Sequence, residues 1–261
     1  MQLDFLKTDY TQLDAFIYLF LILSVIIFGR YLVMSGLYHR WIYEPIAKRI
    51  PSRVLSLYHK IGPQQRREIY YSLIGSLIFG LMAVLMIMAW QKGWTKIYLD
   101  WNDYPIWYLP LSLLLVMALH ETYYYWLHRW LHIPRIYRLV HQIHHDSIST
   151  SVWTSFSFHP IESFLQAIII PLIVLVVPIH IAVLLFLLIL MTISAIINHA
   201  GVEIYPRGTN RHWLGKWIIG ASHHDMHHRK FLTNYGLYFT CWDKWMDTES
   251  EEFNQYFDDH T

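Results

Sequence analysis

Apolar residues along this chain are grouped into a few long runs that polar stretches separate. The first run covers residues 15–29, the second covers residues 70–90 and has aromatic residues at both ends, and the third covers residues 105–126. Crossing the hydrocarbon core of a bilayer takes a helix of roughly 20 apolar residues. Each run, together with its flanks, is therefore predicted to be a membrane span.

The last apolar run, residues 161–200, is too long for one straight span. Pro171 and Pro178 interrupt it, and a proline removes a backbone donor and ends or kinks a helix. We predict two helices joined by a turn near Pro178, as a full hairpin or as a shallower re-entrant pair. The predicted fold class is an all-α integral membrane protein with about four spans.

Composition supports the membrane interpretation. Of the 261 residues, 55% are hydrophobic and only 15% are charged, against roughly 25% charged in ordinary soluble domains. The net charge is +1, whereas a nucleic-acid-binding protein would carry a basic excess, so no nucleic-acid partner is expected. The single cysteine, Cys241, excludes an intramolecular disulfide and a metal site built from several thiolates of one chain.

Basic residues are distributed unevenly between the connecting segments. Eight Lys and Arg lie in residues 30–67, but the loop between the second and third spans has only Lys92 and Lys96. Because cytoplasmic segments of membrane proteins are enriched in Lys and Arg, the 30–67 loop is predicted to be cytoplasmic and the N-terminus to lie outside. The third span then returns residues 128–145 to the cytoplasmic side. If the last apolar run is a hairpin, residues 223–228 lie on the same side, where the two segments can meet.

Histidine is the unusual residue of this sequence. There are 17 histidines, and 14 of them lie between His120 and His228. Three clusters have helical spacing, in which residues i, i+3 and i+4 share a face. The predicted result is a cytoplasmic, helical, histidine-rich region that binds metal. Eight imidazoles are expected to converge there: His128 and His132; His141, His144 and His145; and His224, His227 and His228.

Imidazole binds zinc, copper, iron and nickel, and eight ligands suit two metal ions with open positions better than one tetrahedral zinc. The Glu-x-x-His pairs of carboxylate-rich diiron bundles and the His-Glu-x-x-His motif of metalloproteases do not occur in the sequence. From the residues alone, two rival functions stay open beside an oxygenase. One is a membrane metal transporter or sensor, and the other is a zinc-dependent lipid hydrolase.

Two segments, residues 121–146 and 221–248, resemble the fatty acid hydroxylase / sterol desaturase superfamily, with all three histidine clusters in that family's order and spacing. Residues 156–166 and 198–201 are also similar, nearest to its sterol desaturase branch. One departure is Met246-Asp247-Thr248, where the family usually has a glycine before the threonine. The predicted domains are membrane spans with a basic loop (1–105), a catalytic domain of this family (106–250) and an acidic tail (251–261).

The resemblance implies a non-haem diiron membrane enzyme that uses dioxygen and two electrons. Its substrate would be a sterol or fatty-acyl-type lipid, and its reaction would be the hydroxylation or desaturation of a C–H bond. The eight histidines are carried over as ligands, and His199 and His223 are included as further ligands or their neighbours. An external electron donor is implied, namely a b-type cytochrome, a ferredoxin or a reductase. The membrane would be a bacterial inner membrane or the endoplasmic reticulum, depending on the host.

A few residues near these clusters have two interpretations each. His120 belongs either to the metal site or to an interfacial hydrogen bond, and Glu121 is either a functional group or a solvated carboxylate at the end of a span. His159 either belongs to the site or caps a loop. Three carboxylates are predicted to accept the second N–H of metal-binding histidines: Asp146, Asp225 and Asp243.

Overall fold

The structure, a computed structural model, describes residues 8–56 and 62–261 and is mostly helical there. The α-helices in these residues are α1 (Leu13–Tyr38), α2 (Glu44–Arg49), α3 (Pro63–Gln91), α4 (Tyr108–Leu131), α5 (Pro134–Ile136), α6 (Gln142–His145), α7 (Pro160–Ala167), α8 (Ile169–Val174), α9 (Ile181–His199), α10 (Ala221–Lys230), α11 (Cys241–Trp245) and α12 (Phe253–Asp259). Two π-helical turns, His39–Tyr43 and Tyr137–His141, and two short strands, β1 (Ile97–Tyr98) and β2 (Ile179–His180), complete the main elements.

Three helical stretches are long and apolar enough to cross a membrane: Leu13–Arg49, Pro63–Gln91 and Ile181–His199. They cover the first, second and last of the predicted spans. Helix α4, over the third predicted span, has 24 residues. It is less apolar, because His120, Glu121 and three tyrosines occupy its second half.

The first span extends farther than the hydrophobic run predicts. Helix α1 continues through the first π-helical turn into α2, so residues 30–49 of the predicted basic loop are helical. Lys60, which was counted in that loop, lies outside the described residues.

Helix α1 packs along α3, and a Cβ on Gly80 would lie 2.2 Å from Oγ of Ser24. Only glycine at position 80 permits this close approach of the two helices.

The last apolar run forms two helical arms, as predicted. The first arm is broken at Ile168 between α7 and α8, because Pro171 has no N–H to donate to the carbonyl one turn earlier. A turn then leads through Pro178 to β2 and α9. Strand β2 pairs in parallel with β1, which places this turn beside the connection between α3 and α4. His199 lies at the other end of α9.

A buried carboxylate fixes the segment that crosses between the helices near His199. Glu68 of α3 is fully buried and accepts hydrogen bonds from Oγ of Ser151 at 3.2 Å and Oγ1 of Thr154 at 2.9 Å. Ser151 caps the 3-10 turn Val152–Phe156 and Thr154 lies within it, and this turn packs on both α3 and α9. Glu68 thereby positions the backbone that leads to Ser157.

Candidate metal centre

The first pair of histidines lies at the end of α4. His128 and His132 are one helical turn apart and are only 2% and 8% exposed. Nδ1 of His128 lies 2.8 Å from the carbonyl oxygen of Tyr235. A carbonyl can only accept, so Nδ1 carries the proton and Nε2 keeps its lone pair. Burial and then the neighbouring His128 lower the pKa of His132 to about 2, so this ring is neutral at physiological pH.

The second cluster begins in the π-helical turn Tyr137–His141 and ends in α6. His141, His144 and His145 are all about 1% exposed. Nδ1 of His144 donates to the carbonyl of Ser157 at 3.1 Å, so its Nε2 also has a free lone pair. Desolvation holds the pKa of all three imidazoles well below the ordinary histidine value.

The third cluster lies on α10, where His224, His227 and His228 are essentially inaccessible to solvent. Nδ1 of His227 donates to the carbonyl of Thr233 at 2.7 Å, which again leaves Nε2 unprotonated. Because burial holds the pKa of each of these rings well below the ordinary value, α10 presents neutral imidazoles to α4 and α6.

His199 is contributed by the end of α9. Its Nδ1 donates to the carbonyl of Ala195 at 2.7 Å. Its Nε2 lies 3.2 Å from Nε2 of His144 and 2.9 Å from Nε2 of His224. His199 therefore connects the second and third clusters, although it stands alone in the sequence.

The nine histidines form two groups in which the nitrogens of each group lie within 4.8 Å of one another. One group is His128, His132, His141, His145 and His227, and the other is His144, His199, His224 and His228. Within the first group, Nε2 of His227 lies 3.1 Å from Nε2 of both His132 and His145. Two lone pairs so close repel each other unless a cation lies between them, and nitrogens about 2.1 Å from one metal are separated by roughly 3 Å. The donor set fits two metal ions held by imidazoles.

The structure does not place His223 in either group. As the neighbour of His224 on α10 it points in another direction, since successive helical residues are rotated by about 100°. Its ring lies against Phe253, and its Nε2 is 4.0 Å from Oδ2 of Asp243. Burial lowers the pKa of His223 to about 3, so this ring is neutral as well.

Other candidates from the sequence have structural contacts. His120 contacts the Tyr238 hydroxyl at 2.9 Å and belongs to neither metal group. Glu121 is buried rather than solvated, and it accepts from the backbone N–H groups of Leu237 and Tyr238 at 3.0 and 2.7 Å. His159 caps α7 by accepting from the N–H of Ile161 at 3.2 Å, as the loop-capping interpretation predicts.

The predicted carboxylate partners of the histidines have other roles. Asp146 pairs with Arg67, and Asp225 pairs with Arg229. Asp243 accepts from the N–H groups of Tyr235 and Gly236, at 2.8 Å each. Sequence reasoning missed Glu162, whose Oε2 lies 2.9 Å from Nδ1 of His141. The available signal was its position in the 156–166 segment, which resembles the family.

An apolar cavity of about 170 Å³ adjoins the second group of histidines. His199 forms part of its wall, and the cavity extends between α1, α3, α4 and α9. Most of its lining is aliphatic or aromatic, including Phe79, Phe156 and Leu188. The arrangement places a space suited to a lipid chain directly beside the imidazoles.

Comparison with known proteins assigns the chain to a family. The sequence model of the fatty acid hydroxylase family matches residues 113–248. The chain is 31% identical over 182 residues to the delta(7)-sterol 5(6)-desaturase ERG3B of Gibberella zeae, covering 70% of this chain and 55% of that protein. It is 32% identical over 183 residues to human lathosterol oxidase, covering 69% and 60%.

Methylsterol monooxygenase 1 of Danio rerio is 33% identical over 162 residues, covering 62% of this chain and 54% of that protein. The chain thus spans little more than half the length of these curated relatives. No solved structure matches it. The family match includes all three histidine clusters and His199. The chain belongs to the fatty acid hydroxylase family, in its sterol desaturase branch.

Proposed function

We propose that this protein is an oxygen-dependent, non-haem diiron oxidoreductase that hydroxylates or desaturates a C–H bond of a sterol or fatty-acyl-type lipid. One observation carries the proposal: His199 belongs both to a group of buried imidazoles and to the wall of an apolar cavity. A lipid in this cavity would present its hydrocarbon to the metal-binding residues.

The two histidine groups would hold one iron ion each, and His223 would support the site without being a ligand. Two irons bound there would supply two-electron oxidation of a lipid by dioxygen. The protein's own residues fix the imidazoles. Carbonyls of Tyr235, Ser157, Ala195 and Thr233 accept the Nδ1–H groups and leave Nε2 free to bind metal. The apolar cavity wall excludes water from the reacting C–H bond.

The resemblance to the family supports the proposed substrate class and the proposed electron donor. The named relatives are two enzymes that desaturate or oxidise sterols and one monooxygenase of methylsterols. A test of this chain therefore includes both hydroxylation and desaturation, and both sterols and fatty-acyl-type lipids as substrates. Electrons would come from a separate protein, a b-type cytochrome, a ferredoxin or a reductase.

We infer a topology in which α1, α3, α4 and α9 cross the membrane. Helices α7 and α8 lead back from the histidines to the outer turn at Pro178. The histidine end carries most of the basic residues of the connecting segments, including Lys48, Arg49 and Arg53, which supports a cytoplasmic orientation. The host decides between a bacterial inner membrane and the endoplasmic reticulum.

The test combines metal analysis with lipid analysis. The purified protein should contain two irons per chain, and lipid extracts of cells with and without the gene should differ in an oxidised product. A gain of 16 mass units indicates hydroxylation and a loss of 2 indicates desaturation. Stoichiometric zinc together with oxygen-independent lipid hydrolysis would contradict the proposal. The His144→Ala variant should insert into membranes and lack the oxygen-dependent product.

A further inference from the structure

One charged side chain lies in the wall of the apolar cavity. Among the described residues that line it, Arg30 is the only Asp, Glu, Lys or Arg. Arg30 belongs to α1, one turn after Ile27, which lines the same cavity. Its side chain is half-buried, and the cavity lining beside it is mainly hydrophobic.

Arg30 has no counter-ion within the described part of the chain. None of the ion pairs there includes it, and its Nε is buried without a hydrogen-bond partner. A guanidinium has five N–H donors and no acceptor, so only an acceptor group can satisfy it. An unpaired charge in an apolar environment is costly, and such residues in membrane proteins usually have a functional partner.

We propose that Arg30 binds the negatively charged head group of the lipid in the cavity, a carboxylate or a phosphate. Both groups accept two parallel N–H bonds from a guanidinium, and each neutralises its charge. The hydrocarbon chain of the same lipid then occupies the apolar part of the cavity, beside His199. An uncharged hydroxyl would leave the positive charge of Arg30 unpaired. This inference rests on the proposed function in that the lipid in the cavity is taken to be the substrate.

Binding measurements test the proposal without requiring turnover. The full-length protein, in nanodiscs of phosphatidylcholine at alkaline pH, would be titrated with octadecanoic acid, octadecyl phosphate and octadecanol. These probes share one hydrocarbon chain and differ only in the head group. The wild-type protein should bind one or both anions roughly 10-fold to 100-fold more tightly than the alcohol. The stronger of the two anions identifies carboxylate or phosphate as the natural head group.

Variants of two arginines complete the experiment. Arg30→Met keeps the length of the side chain and removes its charge, and it should bind all three probes with the affinity of the alcohol. Arg30→Lys should keep part of the preference. The control, Arg40→Met, changes an exposed arginine that pairs with Glu44 outside the cavity, and it should keep the full preference.

Two results would overturn the role of Arg30. One is equal affinity of the wild-type protein for the acid, the phosphate and the alcohol. The other is an anion preference that survives in Arg30→Met, as expected if Arg30 only extends toward the bilayer surface. The proposed function can fail independently of the role of Arg30. In that case the iron-loaded protein would still bind anions selectively but would form no oxidised lipid.

Discussion

Nδ1 of His141 lies 2.9 Å from Oε2 of Glu162, and both side chains are 1% exposed. The two atoms are in close contact, although neither meets hydrogen-bond geometry with a partner among the described residues. The other ring nitrogen of His141, Nε2, lies 3.1 Å from Nε2 of His145, inside the first group of histidines. A carboxylate partner makes an imidazole more basic and a stronger metal ligand than a carbonyl partner does.

Removing this carboxylate should weaken metal binding. Glu162→Gln keeps an acceptor oxygen but removes the charge, and its metal affinity should fall by about 10-fold. Glu162→Ala removes both the acceptor and the charge, and its metal affinity should fall by about 100-fold. Competition with a chelator measures the change. The exposed Glu251→Gln serves as the control and should retain the wild-type affinity. An unchanged chelator midpoint in Glu162→Ala would show that Glu162 does not support the ligand.

Each histidine group should account for one of the two irons. His145→Ala removes a member of the first group and His228→Ala a member of the second. Each variant should lose at least one iron per chain and the oxidation activity, as measured by elemental analysis and product formation. The exposed His212→Ala should keep both. Full occupancy in both group variants would disprove this division of ligands.

His223 should behave differently from the other histidines of α10. The ring contacts Phe253 and lies outside both groups, so His223→Gln should retain two irons. The same variant should have a lower thermal midpoint, since the buried space beside Asp243 is then filled by a side chain of another shape. Loss of iron in this variant, with the thermal midpoint unchanged, would make His223 a ligand.

Acid should destabilise the metal-free protein. Burial lowers the pKa of His132 to about 2 and that of His223 to about 3, below the ordinary value of 6.5. At pH values between the folded-state and unfolded-state pKa, the unfolded chain binds more protons than the folded one. The contribution of these neutral histidines to the free energy of unfolding is therefore fully present above about pH 6.5 and decreases as the pH falls. Each such histidine contributes a slope of up to about 1.4 kcal/mol per pH unit. Thermal unfolding at about pH 7.5 and pH 5.5 measures the effect, and an equal or higher midpoint in acid would contradict it.

Asp243 should be important for stability rather than for chemistry. It accepts from two backbone N–H groups and from Oγ1 of Thr248, each at 2.8 Å, and so holds Tyr235, whose carbonyl accepts from His128. Asp243→Asn offers one acceptor oxygen fewer and no charge. It should cost about 1.5–3 kcal/mol of stability, as measured by denaturant unfolding. The exposed Asp103→Asn should cost almost nothing, and equal stabilities of the two variants would remove this role from Asp243.

Helical spacing in the sequence identified the three clusters, and eight of the nine imidazoles in the two groups come from them. Spacing did not predict how the clusters divide, because His144 belongs to a different group from His141 and His145. Likewise, His227 belongs to a different group from its neighbours on α10.

His199 and His223 were added only through the family resemblance, and the structure separates them. His199 reaches the site through the position of α9, which depends on packing rather than on local spacing. His223 precedes His224 by one residue on α10, and the helical rotation of about 100° per residue turns its side chain away from both groups.

Long-range contacts explain most of what the sequence did not predict. Glu121 looked like a solvated or functional carboxylate at the end of a span. Its actual partners, Leu237 and Tyr238, are more than 100 residues away along the chain, so no local pattern reveals them. Three aspartates were predicted as carboxylate partners of the metal-binding histidines, yet the carboxylate beside Nδ1 of His141 belongs to Glu162 on another helix.

The division of the histidines into two groups also constrains the order of assembly during synthesis. The first group spans His128 to His227, and the second spans His144 to His228. Neither group is complete until α10 has been synthesised, because each group includes at least one histidine of α10. A complete set of ligands for either group therefore forms only late in synthesis, and a chain that stalls before α10 contains imidazoles that lack their partner ligands.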